Sequence, residues 1–139
     1  MKTILVIDWP SKEVPESLAR AGMQVFVRGG TGPSDYSVYE LRGGAVVARH
    51  VGLRPERASV IYAFRPLSEL PQIISAAKEL DARTIWTQSG WSSTGEKDPR
   101  GCWVPEEELR AARTLVESAG LRYVTEPYIV SVASELAAS

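Results

Sequence analysis

The sequence is poor in the residues that build metal sites and disulfides. It has one cysteine and one histidine in 139 residues. Cys102 has no second cysteine to pair with, and Cys102 with His50 gives no metal-ligand spacing. A dominant charge is also missing: 16 Lys and Arg stand against 17 Asp and Glu, a formal net charge of −1. The basic residues are scattered, so the electrostatic footprint of a nucleic-acid or membrane-surface protein is not there. The apolar run near the start, Ile4-Leu5-Val6-Ile7, is too short for the core of a signal peptide or for a membrane span. The expectation is a cytoplasmic protein that engages no metal, nucleic acid or membrane.

What is present is an alternation of two patterns. Ile4–Ile7, Val25–Val27 and Val60–Phe64 are continuous apolar runs, as strands buried on both faces read. Thr84–Thr87 and Arg122–Val124 are short and rich in β-branched or aromatic residues. Between them lie helical spacings. Val14, Leu18 and Ala21 form one, begun near Pro15 and stopped by Gly22. A second runs from about Ser68, a candidate cap, to Leu80, with Leu70, Ile73, Ile74 and Ala77 on its apolar stripe. A third runs from Pro105 to Ala119; Glu106–Glu108 suit its positive end, and Leu109, Ala112, Leu115, Val116 and Ala119 make its buried face. Strands alternating with helices predict βαβ units and a doubly wound, mostly parallel sheet of the Rossmann-like α/β class, one domain over residues 1–139. One segment breaks the alternation. In Tyr36–Val51, two strand-like runs flank Gly43-Gly44, which predicts an inserted antiparallel hairpin near residues 36–51.

In open sheets of this class, ligands bind beyond the carboxyl ends of the strands, near the switch in strand order. The loops there begin at Asp8-Trp9-Pro10-Ser11, Arg28-Gly29-Gly30-Thr31-Gly32, Arg65-Pro66 and Gln88-Ser89-Gly90. The first loop departs from a dinucleotide fingerprint. Asp8 stands where its first glycine is expected, and Pro10 has no N–H to offer a pyrophosphate. Asp8 and Ser11 serve equally well as turn formers. Arg28 with the glycines after it could wrap an anion, or simply lead into the hairpin. Arg65 is placed to meet a phosphate or a base, or to be a surface arginine ahead of a helix. His50 has no Ser or Asp constellation, and Cys102 has no His or Lys neighbour to activate it. Asp98 and Glu106–Glu108 read as solvated charges. The polar segment from Trp91 to Trp103 is long enough for a lid over the ligand face, or for a loop pinned by its tryptophans.

Several of these features recur together in a known family. Val60-Ile61-Tyr62-Ala63-Phe64-Arg65-Pro66 is followed by Glu69-Leu70-Pro71. Then come Trp86-Thr87-Gln88-Ser89-Gly90, the Glu/Ala-rich stretch 107–119, Gly120-Leu121-Arg122-Tyr123-Val124, and Glu126-Pro127-Tyr128-Ile129. In this order they resemble the CoA-binding domains related to the N-terminal domain of the succinyl-CoA synthetase α subunit. The likeness covers about half of the chain in its ordered features. It departs from the family pattern in the first loop and after the second strand, where Asp8-Trp9-Pro10-Ser11 and Arg28-Gly29-Gly30 stand. It implies CoA or an acyl-CoA at the strand carboxyl ends, with phosphates against the first loop and adenine near the loop after Phe64. The ligand-facing positions it implies are Pro10, Ser11, Arg28, Phe64, Arg65, Pro66, Gln88, Ser89 and Gly90, and Asp8, Trp9 and Gly29 join them as neighbours in the same strand-end loops.

No catalytic residues are assigned. The leading expectation is a small module that binds CoA, an acyl-CoA or a related adenine nucleotide without catalysis. One alternative is an enzyme on an acyl-CoA or nucleotide substrate, with Asp8 as base and Ser11 or Ser89 as nucleophile. Another is an interaction protein with a degenerate pocket, its Tyr36–Val51 ribbon pairing with a second copy or a partner protein.

Overall fold

The structure, a computed structural model, describes residues 2–8, 12–29, 35–88 and 105–138. Seven strands build one sheet: β1 (Thr3–Ile7), β2 (Gln24–Arg28), β3 (Tyr36–Arg42), β4 (Ala45–His50), β5 (Val60–Ala63), β6 (Thr84–Thr87) and β7 (Arg122–Val124). Their spatial order is β4-β3-β2-β1-β5-β6-β7. β2, β1, β5, β6 and β7 run parallel, while β3 and β4 are antiparallel additions beside β2. The helices are α1 (Glu13–Arg20), α2 (Leu70–Glu79), α3 (Glu106–Ser118) and α4 (Ala133–Ala138).

The side-chain period of a strand sorts the apolar residues onto two faces. Leu5, Ile7, Ile61, Ala63, Ile85 and Tyr123 pack with Leu70, Ile73 and Ala77 of α2 and Ala112 and Val116 of α3. Ile4, Val6, Val25, Tyr62 and Trp86 pack with Val14 and Leu18 of α1 and with Ile129 and Ala133 at the C-terminal end. β1 is central and belongs to both cores. The chain steps from β1 to β2 in one direction and from β5 through β6 to β7 in the other. The switch in strand order therefore falls at β1, between β2 and β5.

The doubly wound fold and the hairpin are as the sequence predicts. Gly43 and Gly44 alone make the turn, with φ of +58° and +82°. Two successive positive φ values are what a two-residue type I′ hairpin requires. Four expectations need correction. The helix after Arg65-Pro66 starts as a 3-10 turn at Leu67–Glu69, so Ser68 lies inside that turn and caps nothing. Leu115 is exposed, because α3 lies at the margin of the sheet and buries only Ala112 and Val116 deeply. β2 buries Val25 fully but leaves Phe26 and Val27 half-buried, because it borders the ribbon and not a further helix-covered strand. The 3-10 turn Ile129–Val132 and α4 were not anticipated; their short apolar stretch shows too few helical turns to read as a period.

Candidate functional site

β2 and β5 flank β1, so the carboxyl ends of the three strands lie side by side. Ile7 is in register with Arg28 and with Ala63. The backbone N–H of Phe64 donates to Ile7 O at 2.9 Å, which carries the pairing one residue past β5 and fixes where Arg65 leaves the sheet. The backbone N–H of Asp8 donates to Arg28 O at 3.1 Å. Asp8 itself has φ of +58°. That is the left-handed region that glycine enters freely and Asp tolerates better than most residues. Here the chain adopts the backbone a glycine would give, and a carboxylate comes with it.

The carboxylate holds two arginines. Arg28 Nη2 lies 3.1 Å from Asp8 Oδ2, and Arg65 Nη1 lies 3.3 Å from the same oxygen. Arg65 also donates through Nε to both Glu69 oxygens at 3.1 Å, across one turn of chain. Four charges thus meet at the switch point and sum to zero. The Arg65 guanidinium holds the Glu69 carboxyl below the usual carboxylate range by hydrogen bonding, against a smaller opposing effect of burial, and Arg28 adds to the lowering. The hydrogen bonds to Glu69 in turn raise the pKa of Arg65, with burial opposing and Asp8 contributing. Arg28 Nε is enclosed and has no acceptor among the described residues. The guanidinium is therefore only partly satisfied by its carboxylate partner.

Gln88 sits at the end of β6, buried, and Tyr62 Oη donates to its Oε1 at 3.3 Å. Beside it, Thr87 and Tyr123 share a hydroxyl–hydroxyl hydrogen bond of 2.7 Å. Phe64 is half-buried, and Pro66 is exposed and leads into the 3-10 turn. Gly29 is exposed and donates to Asp35 O at 3.1 Å. It is not among the residues with positive φ, and the glycines at 30 and 32 lie outside the described residues.

The structure brings Asp8, Arg28 and Arg65 into contact and sets Gln88 one strand further along. Trp9, Pro10, Ser11, Ser89 and Gly90 lie outside the described residues, as do Cys102 and the Trp91–Trp103 segment. His50 ends β4 and lines an open cavity of about 390 Å³ with Val27, Gly29, Asp35, Ser37 and Tyr39. On β2, Val27 alternates with Arg28, so this cavity faces away from the arginine pair. Two contributors were missed in the sequence. Glu69 was legible as the i+4 partner of Arg65. Tyr62, which holds Gln88 from the neighbouring strand, had no sequence signal because sheet register decides that contact. No group of His, Cys, Asp and Glu among the described residues could hold a metal ion, and no helix among them is long and apolar enough to cross a membrane.

No curated protein and no solved structure matches the chain. The family model of the CoA binding domain matches residues 7–131, which takes in Asp8, both arginines and every parallel strand except most of β1. The match and the convergent strand ends agree, and the chain belongs to the CoA binding domain family.

Proposed function

We propose that the protein binds CoA, an acyl-CoA or a related adenine nucleotide at the carboxyl ends of β1, β2, β5 and β6, in the cytoplasm and without catalysing a reaction on it. The observation that supports this best is the convergence of Arg28 and Arg65 at the point where the strand order switches. Guanidinium groups are the side chains best suited to phosphates and to stacking on a base, and the switch point is where open sheets place ligands. A non-catalytic role is favoured because the Asp8 carboxylate is already engaged by two guanidiniums. Calorimetric titration with CoA, acetyl-CoA, NAD and ATP tests the proposal. CoA or acetyl-CoA is expected to bind, and Arg65→Ala to weaken that binding by about tenfold or more. No heat and no thermal shift with any of the four ligands at millimolar concentration would sink it.

A second reading concerns β4, which ends the sheet. Val51 N–H donates to Tyr36 O at 3.0 Å, so Val51, Arg49, Val47 and Ala45 direct their backbone groups inward to β3. Val46 and Ala48 then direct theirs outward. The row contains no proline, and its pairing with β3 continues without a bulge. Such an edge can take another strand, including that of a second copy. Light scattering across a concentration series decides this, and Ala48→Pro would abolish any dimer formed in this way.

A further inference from the structure

We infer that Asp8 is a resident counter-ion for the Arg28–Arg65 pair, one that a phosphate-bearing ligand must displace, so that this residue sets how tightly the site takes phosphate. The inference rests on the reading that the crevice beyond β1 receives such a ligand.

Three observations carry it. The first is position. Asp8 follows the central strand directly, and its carboxylate oxygen is shared between Arg28 at the end of β2 and Arg65 just beyond β5, at 3.1 and 3.3 Å. Two arginines converging on one oxygen is the arrangement that a phosphate oxygen takes up with the same side chains. The second is backbone. The left-handed φ of +58° and the Asp8 N–H to Arg28 O bond are main-chain features, independent of the carboxylate. Asparagine and glycine can adopt the same conformation, so the charge can be removed without asking the chain to change course. The third is incomplete satisfaction. Asp8 occupies Nη2 of Arg28 but leaves the enclosed Nε–H with no acceptor among the described residues. A tetrahedral anion presents three oxygens and can accept from Nη2 and Nε together, the two-point contact in which guanidinium groups bind phosphate most strongly. The carboxylate is thus a serviceable partner and a phosphate the better one. Until it is displaced, Asp8 repels the incoming anion and neutralises the cations that would attract it. Glu69 holds Arg65 from the other side, which leaves Asp8 as the member of the network that must yield.

The test uses pyrophosphate as a probe alongside CoA, with wild type, Asp8→Asn, Asp8→Gly and the Asp8→Asn/Arg28→Ala double variant. Asp8→Asn and Asp8→Gly should each bind pyrophosphate about tenfold or more tightly than wild type, as expected when a like charge is taken out of an anion site. The gain should shrink as salt rises, and it should vanish in the double variant. Equal or weaker pyrophosphate binding by a folded Asp8→Asn would overturn the inference. So would loss of the folded state in both single variants, since a displaceable counter-ion is not a structural requirement. Pyrophosphate gain with no CoA binding by any variant would keep the counter-ion role and remove the ligand reading. CoA binding by wild type with no pyrophosphate gain in Asp8→Asn would do the reverse.

Discussion

The two sides of the sheet are built on different physical terms. On the side of β5, β6 and β7, helices close over the strands, and all four residues of β5 are buried. On the side of β3 and β4, α1 packs against one face, and the six residues of β4 are exposed or nearly so. The first side is held by apolar area removed from water, worth roughly 25 cal/mol per Å². The second is held by the strand ladder, a glycine turn and a set of charges around Glu40, which accepts from Gln24 at 2.8 Å and from Arg42 at 2.8 Å. The site lies where the two sides meet. It takes Arg28 from the strand that borders the ribbon, and Arg65 from the segment just beyond the strand that opens the helix-covered half.

The contrast can be broken at several points, and the largest effect belongs to the buried side. Ile61→Ala, at a position with no exposed surface, should cost about 2–5 kcal/mol in urea unfolding, while Val47→Ala should stay within about 0.5 kcal/mol. A cost above 2 kcal/mol for Val47→Ala would mean that the ribbon has a core of its own. Next comes the turn. Gly44→Ala places a side chain at φ of +82° and should cost about 1–2 kcal/mol, although the added methyl group would meet nothing within 4 Å. Equal stability of this variant and wild type would show that strain at the turn is relieved elsewhere. Tyr62→Phe removes the hydroxyl that holds Gln88 and should cost about 1 kcal/mol, and it should also loosen any ligand that relies on the end of β6. Amide exchange sharpens the comparison without mutation. β1 and β5 should be protected to the limit of global unfolding, whereas β4 should alternate, with Val47 and Arg49 slow and Val46 and Ala48 fast.

The smallest expected effect is electrostatic. Hydrogen bonds from Gln24 and then Arg42 hold the Glu40 carboxyl below its ordinary value of 4.5, and Arg65 does the same for Glu69. A carboxyl whose folded pKa is depressed contributes stability above its unfolded value. That contribution is lost as pH falls through the folded value. Glu40→Gln should therefore be less stable than wild type at pH 7 by about 1 kcal/mol or less, and the difference should close as the pH is lowered through the depressed folded pKa. A difference that persisted at pH 2 would assign it to packing and not to charge.

How much of this could be read in the chain depends on whether a feature is local. The runs Thr84–Thr87 and Arg122–Val124 coincide with β6 and β7, because β-branched and aromatic residues bounded by turns leave few other conformations. Gly43-Gly44 announced the hairpin because only glycine accepts two positive φ values in succession so readily. Leu115 misled, since helical spacing says which residues share a face but not how far the sheet beneath extends. At the site, Arg28 and Arg65 were legible as strand-end cations. Asp8 was legible as a misfit for a glycine-rich phosphate loop, but its partners were not, since they lie 20 and 57 positions away and meet it only through the β2-β1-β5 order. Gln88 was legible, while Tyr62, which orients it, was not.

Residue pattern alone thus determined the class of fold, the direction of the strands, the inserted ribbon, and which loops face the crevice, because period and turn chemistry act over a few residues at a time. Tertiary structure decided what the crevice contains. Only the sheet order sets one carboxylate between two guanidiniums, because charges in contact across strands are fixed by register and not by distance along the chain.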